Sequence, residues 1–269
     1  MSSSAQPAPA RNSAGPGAAE ALLVDFGREI CGTLETAEQR EWLFTNGIGG
    51  FASGTVAGNL TRRYHGLLMA ALKPPLGRTL LVSKLDETAG YLGASFPLAT
   101  NRWGGGYVDP VGYFHLDRFR LEGAMPVWTY ACADALLEKR VWMKHGANTT
   151  YVRYDVIRAG TPMDLEIKAL VNYRDYHSTT HAGDWSMDVQ PVERGLRVRA
   201  FDGAVPLYLL SDRATAECVH DWYRNYTLTL EHYRGLDELE DHLHAGTFRA
   251  RLEPGQSLTL VLSTEESPE

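Results

Sequence analysis

The stretch NGIGGFASGTVAGNLTRRYHGLL, residues 46–68, has two readings that lead to different folds. Gly47-Ile48-Gly49-Gly50-Phe51-Ala52 fits the loose dinucleotide pattern G-x-G-x-x-G/A. That pattern works only where a buried strand precedes it and a helix N-terminus follows to meet the pyrophosphate. Here Ser53-Gly54-Thr55-Val56-Ala57-Gly58-Asn59 follows, a run of mostly poor helix formers. No acidic residue lies between Phe51 and Leu85 to hold a ribose hydroxyl, and no Gly-Lys-Ser/Thr makes a phosphate loop. The glycines then serve as tight turns and bulges between one strand, FASGTVAG, and the next, RYHGLLMAAL.

Outward from this stretch the dominant period is two. LEIKALV sets Leu165, Ile167, Ala169 and Val171 on one face and Glu166 and Lys168 on the other. GLRVRAF alternates Leu196, Val198 and Ala200 with Arg197 and Arg199. YTLTLEHY and SLTLVLS repeat the pattern, the latter after the turn Glu253-Pro254-Gly255-Gln256. Helix signals are short. Thr36 with Gln39 has capping-box spacing in TAEQREWL, and Leu236, Leu239 and Leu243 recur at three and four residues in GLDELEDHLH. The expected fold is all-β, a large antiparallel two-sheet β-sandwich with a few short peripheral helices. It is expected to form one domain over 21–269, after a Ser/Ala/Pro/Gly-rich, disordered tail over 1–20.

Of the 269 residues, 44% are hydrophobic and 22% charged, a globular composition, and the net charge of -7 argues against nucleic-acid and anionic-membrane partners. Cys31, Cys132 and Cys218 are odd in number and far apart, giving neither a disulfide framework nor a zinc pattern. No apolar run approaches the roughly 18 to 20 residues that span a bilayer, and the N-terminus lacks a signal peptide's apolar segment. The expectation is a cytoplasmic protein with no metal and no cofactor.

Candidate binding residues fall in two groups. Asn46, Arg62, Arg63, Tyr64 and His65 are dense polar groups whose planar donors and acceptors suit hydroxyl-rich ligands, although turn chemistry explains the same residues. NRWGGGYVDPVGYFHLDRF, residues 101–119, offers Trp103, Tyr107, Tyr113 and Phe114 among glycines, with Asp109, His115 and Asp117 nearby. A pyranose stacks its C–H face on such rings; the alternative is that Trp103 and Phe114 cover a sheet edge. Trp128, Trp142 and Tyr154 read as core. His177 and His181 read as polar loop residues, and His242 and His244 as exposed residues beside a short helix. DWYRNY, residues 221–226, reads either as a packing segment or as a sugar contact.

The block EWLFTNGIGGFASGTVAGNLTRRYHGLLMAALKPPLGRTLLVSKLDE, residues 41–87, resembles the N-terminal domain of the bacterial and archaeal type of glycogen debranching enzyme, the amylo-α-1,6-glucosidase family. NYRDYHS (172–178), WYRNYTLTLEHYRGLDELEDHLHAGTF (222–248) and LEPGQSLTLVLST are similar too, so the resemblance runs from about residue 21 to 265. It implies a supersandwich like the domain preceding the helical barrel of bacterial glucoamylase-like enzymes. It also implies α-glucan partners: glycogen, limit dextrin and maltooligosaccharides. Family enzymes continue into an (α/α)6 barrel that carries the catalytic carboxylates. This chain ends at Glu269, so no catalytic residue is assigned within it and the barrel is expected as a partner, in cis or in trans. Two other functions fit such a sandwich: a mutarotase-like enzyme using His65 with Asp117, and a structural docking module without sugar affinity.

Overall fold

The computed structural model describes residues 24–268. The tail expected over residues 1–20 lies outside them. In chain order the first strands are β1 (Asp25–Phe26), β2 (Glu41–Thr45), β3 (Phe51–Thr55), β4 (Gly66–Lys73), β5 (Leu76–Tyr91), β6 (Ala94–Pro97), β7 (Thr100–Arg102) and β8 (Val108–Val111). They continue with β9 (Leu116–Glu122), β10 (Met125–Cys132), β11 (Ala135–Met143), β12 (Thr149–Arg158), β13 (Met163–Asp175) and β14 (Asp188–Val192). The last are β15 (Gly195–Arg199), β16 (Leu207–Ser211), β17 (Thr215–Thr227), β18 (Leu239–Leu252) and β19 (Ser257–Ser263). Helices α1 (Arg28–Cys31), α2 (Leu34–Ala37) and α3 (Thr229–Tyr233) are single turns.

A nine-stranded sheet runs β1-β9-β10-β11-β12-β19-β16-β15-β14, and an eight-stranded sheet runs β17-β18-β13-β5-β4-β3-β2 with β6 on β5. Strands β7 and β8 form a separate hairpin. Every strand pairing among the described residues is antiparallel. The fold is therefore the expected all-β sandwich, and the dinucleotide reading of residues 47–52 has no parallel sheet or following helix to support it.

Alternation along β13 is the source of the layering. Met163, Leu165, Ile167, Ala169 and Val171 lie in the core with Leu85 and Ala89 of β5 and Leu243 and Phe248 of β18. Leu137, Val141, Val152, Leu258, Leu260 and Leu262 of the nine-stranded sheet meet them. Polar cross-links join the layers. Thr150 Oγ1 donates to the Leu67 carbonyl at 2.7 Å, Trp128 Nε1 to Val56 O at 3.0 Å, and Tyr154 OH to Glu87 Oε1 at 2.7 Å. Lys139 Nζ lies 2.5 Å from the same Glu87 oxygen, so this buried carboxylate has a cation and a hydroxyl for partners.

Four local readings are corrected. Thr36 is no cap: Thr33 is the N-cap of α2, and Thr36 Oγ1 instead donates to Ile30 O at 2.7 Å. YTLTLEHY leaves the strand at Thr227 and enters α3. GLDELEDHLH is not a helix; from Leu239 it is β18, where pairing with both β13 and β17 outweighs a weak three-to-four spacing. Trp142 is half-buried on the outer face of its sheet, outside the core that holds Trp128 and Tyr154. Replacing Ile167, which is fully buried between the sheets, by alanine should lower the unfolding free energy by roughly 2–5 kcal/mol. The urea midpoint should fall with an unchanged m-value, while Glu166→Ala should move the midpoint little.

Candidate functional site

The even-numbered residues of β13 point away from the core, and register lines them up with outward residues of neighbouring strands. Lys168 opposes Asp86, and Leu170 opposes both Lys84 and His244. Tyr223 of β17 opposes His242, and Tyr226 opposes Glu240. The β7–β8 hairpin folds over this polar face. Lys84 Nζ donates to Thr100 O at 2.9 Å and to Asn101 Oδ1, and Asn101 Nδ2 donates to Asp86 Oδ2 at 2.6 Å.

The pinned hairpin sets an aromatic cluster. Trp103 bridges to Tyr226, and its ring lies 4.4 Å from that of Tyr226, 6.4 Å from Tyr223 and 6.5 Å from Tyr107. Its Nε1 donates to Asp109 O at 2.5 Å. Gly105 and Gly106 have φ of +90° and +86°, a left-handed pair that glycine adopts without steric cost and that returns the chain so that Tyr107 O accepts from Trp103 N. Tyr107 stays 61% exposed. Lys168 Nζ donates to Tyr223 OH at 3.1 Å and lies 5.6 Å from that ring, which raises the lysine pKa and keeps it charged. The result is a ledge of clustered rings, Tyr107 stacked on Trp103 and the others tilted against it, edged by one cation.

Farther along the same face, α3 brings Glu231, fully buried, under the turn that carries Arg63. Glu231 accepts from Arg63 N at 3.1 Å and pairs with Arg63 Nη2 and Arg234 Nη1, each at 3.3 Å. Arg174 pairs with Glu240 through both nitrogens and donates to Arg63 O at 2.8 Å. Burial pushes the Glu240 carboxyl up, and Arg174 opposes that. Tyr64 OH meets His177 Nδ1 at 3.1 Å, and the rings of Tyr64, Tyr176 and His177 lie 3.8–5.8 Å apart.

His242 is wholly buried between these two groups, and burial, reinforced by Arg174 and Lys84, holds its pKa well below the usual value. Asn172 Oδ1 accepts from Tyr173 N and Thr180 Oγ1, so Asn172 Nδ2 donates to His242 Nδ1 at 3.1 Å. The ring proton therefore sits on Nε2, 3.7 Å from Glu240 Oε2 and without a hydrogen-bond partner in the protein. Tyr226 OH, whose ring is 5.0 Å away, is buried without a partner as well.

The residues singled out from sequence do not form one cluster. Asn46 is fully buried and saturated: Nδ2 donates to Ala147 O and Asn148 Oδ1, and Oδ1 accepts from Ile48 N and Gly50 N. It is a clamp between loops, beyond the reach of a ligand. Arg62 is held by Glu41 at 2.6 Å. His65 is buried, accepts from Thr61 N, and has its other nitrogen 3.3 Å from Glu41. The carboxylate beside His65 is thus Glu41, while Asp117 lies on β9 in the other sheet. Arg63 and Tyr64 lie at one end of the polar face, and Trp103 and Tyr107 at the other. His242 and His244, read as exposed, are 0% and 6% exposed on β18. The residues missed are Lys168, Arg174 and Glu240, while Tyr223 was singled out only within DWYRNY, with packing and sugar contact both left open. The polar half of the LEIKALV alternation was the signal for Lys168.

Each buried carboxylate has a cation, hydroxyl or amide against it. Besides those above, Glu138 pairs with Arg120 and Arg140, Asp86 with Lys84, and Asp241 with the amides of Ala182 and Asn225. Among the described residues no group of three or more His, Cys, Asp or Glu is placed to hold a metal ion. The three cysteines are unpaired, and burial pushes Cys31 and Cys132 up to about 11, as unreactive thiols. No helix among the described residues is long and apolar enough to cross a membrane.

These features define a large two-sheet β-sandwich domain with one outer face given over to matched charges and aromatic rings. The family described as Glycogen debranching enzyme N terminal matches residues 40–259, and the chain belongs to it. No curated protein matches the chain.

Hydrogen bonds from His65 and Arg62 hold Glu41 down at about 2, against burial acting in the opposite direction. A carboxyl depressed on folding stabilises the protein above its unfolded pKa, near 4.5, and loses that contribution as pH falls towards 2. Acid titration of stability should therefore show a component between about pH 4.5 and 2 that Glu41→Gln removes. An identical acid profile in the variant would refute the pairing.

Proposed function

We propose that this domain recognises α-glucan and shapes the cleft of a glycogen-debranching glucosidase, with bond cleavage performed by a helical-barrel catalytic domain in cis or in trans. The observation that carries the reading is the ledge of Trp103, Tyr107 and Tyr223, in which Tyr107 stacks on Trp103 at 6.5 Å and Tyr223 tilts against it at 6.4 Å, left partly open above a polar face. Rings of this kind take the apolar face of a pyranose, while adjacent donors such as Lys168 take its hydroxyls. Internal matching of the surrounding charges favours a neutral ligand over an ion. Tyr64 and His177 extend the same surface and supply directional donors and acceptors of the kind hydroxyls require, positioned by Arg63, whose guanidinium is held by Glu231 and the His177 carbonyl. Membership of the debranching family supports glycogen, limit dextrin and maltooligosaccharides as the ligands. The pairing of the buried carboxylates, each held by partners inside the fold, fits a recognition role, since a hydrolase needs one carboxyl as acid and another as base facing each other across the scissile bond.

In affinity electrophoresis the protein should be retarded by glycogen, and Trp103→Ala with Tyr107→Ala should reduce that retardation by about tenfold or more. Circular dichroism should keep the parent's β signature, and Tyr107→Ala alone, at a largely exposed ring, should leave the melting temperature close to the parent while already weakening retardation. Retardation unchanged in the double variant would remove the ledge as the glucan surface. Release of glucose from limit dextrin by the purified chain would overturn the division of labour.

A further inference from the structure

The outward face of the nine-stranded sheet carries a second arrangement of the same chemistry. Met125, Arg140, Trp142, Arg153, Asp155 and Ile157 line a shallow, open groove on this face. These six come from three adjacent strands, β10, β11 and β12, and all point away from the core. Trp142 and Tyr151 are cross-strand neighbours with rings 5.3 Å apart and 12° from parallel. Tyr151 covers one face of the indole, and Trp142 also lines the groove.

The charges here are tied to one another. Arg140 reaches Glu122, Glu138 at 2.7 Å and Asp155 at 3.7 Å, and Arg153 Nε donates to Asp155 Oδ1 at 2.8 Å. Such interlocked pairs present little net field to an ionic partner, yet they hold guanidinium and carboxylate edges in fixed orientations beside an aromatic wall. A neutral polyhydroxyl ligand suits that combination. Its ring stacks on Trp142, its hydroxyls meet Arg153, which is 44% exposed, and Ile157 and Met125 take its remaining C–H surface.

We propose that this groove is a second α-glucan site, centred on Trp142, on the face of the sandwich opposite the Trp103 ledge; the identity of the ligand rests on the glucan reading above. A short oligosaccharide occupies either site independently. A branched polymer whose branches reach both faces of one protein occupies the two sites at once, which raises its apparent affinity without any new contact.

The test uses the whole chain with maltoheptaose and glycogen as probes. Calorimetric titration with maltoheptaose should give two ligands per chain for the parent protein and one for Trp142→Ala. The same variant should lower glycogen retardation by about tenfold, and Trp142→Tyr should restore most of it. If Trp142→Ala matches the parent in both assays while the Trp103/Tyr107 double variant loses binding, the second site is overturned and the recognition role stands. If the parent protein binds neither probe, both proposals fall. If Trp142→Ala leaves binding intact but changes the oligomeric state in size-exclusion chromatography, the groove is a protein interface and the proposal is overturned.

Discussion

The alternation of β13, paired between β5 and β18, is the constraint on which the rest of the molecule depends. Odd-numbered residues of β13 fill the space between two sheets, so the even-numbered ones, with Lys84, Asp86 and His244 beside them, must all face the other way. A one-residue slip would send Leu165 and Ile167 to the outside and bring Glu166 and Lys168 into an apolar core. Hydrophobic burial therefore sets the register, and the register sets which charges meet on the outer face. The proposed glucan surface is the reverse side of the core.

Buried polar groups in this protein come in matched sets, and the sets hold layers together. Glu87 with Lys139 and Tyr154 links the two sheets from within. Lys84, Asp86 and Asn101 fasten the β7–β8 hairpin, while Glu231, Arg63, Arg174 and Glu240 fasten α3 and the Arg63 turn. Ion pairs of this kind add little net stability, because desolvation offsets much of their attraction. What they supply is position: with one partner displaced, the other is left as an uncompensated charge, which disfavours alternative placements of the hairpin.

Much of the sandwich was legible in the sequence because half-buried antiparallel strands write their burial into every second residue. LEIKALV, GLRVRAF and SLTLVLS have the faces their spacing requires. GLDELEDHLH was misread because its leucines fit a helical spacing by accident, while the pairing that makes it a strand comes from β13 and β17, remote in sequence. The same non-local pairing buries His242 and His244, which no local pattern could reveal. Asn46 was read as ligand-facing because an amide beside glycines serves a turn as readily as a sugar. Its burial depends on Ala147 and Asn148, a hundred residues away. Trp103 stood out as a candidate because an aromatic ring among glycines has few local partners, but its packing on Tyr226 and Tyr223 is set by tertiary structure alone.

The fastening of the hairpin has a consequence for molecular recognition. With Lys84, Asp86 and Asn101 locked beneath it, and Trp103 bonded to Asp109 and leaning on Tyr226, the ledge is assembled when the chain folds and not when something lands on it. The conformational entropy lost in ordering those rings is charged to folding, so a molecule that stacks there meets a preorganised surface and keeps more of its contact energy as affinity. Its arrival is then governed by encounter and orientation, with no loop rearrangement to slow capture.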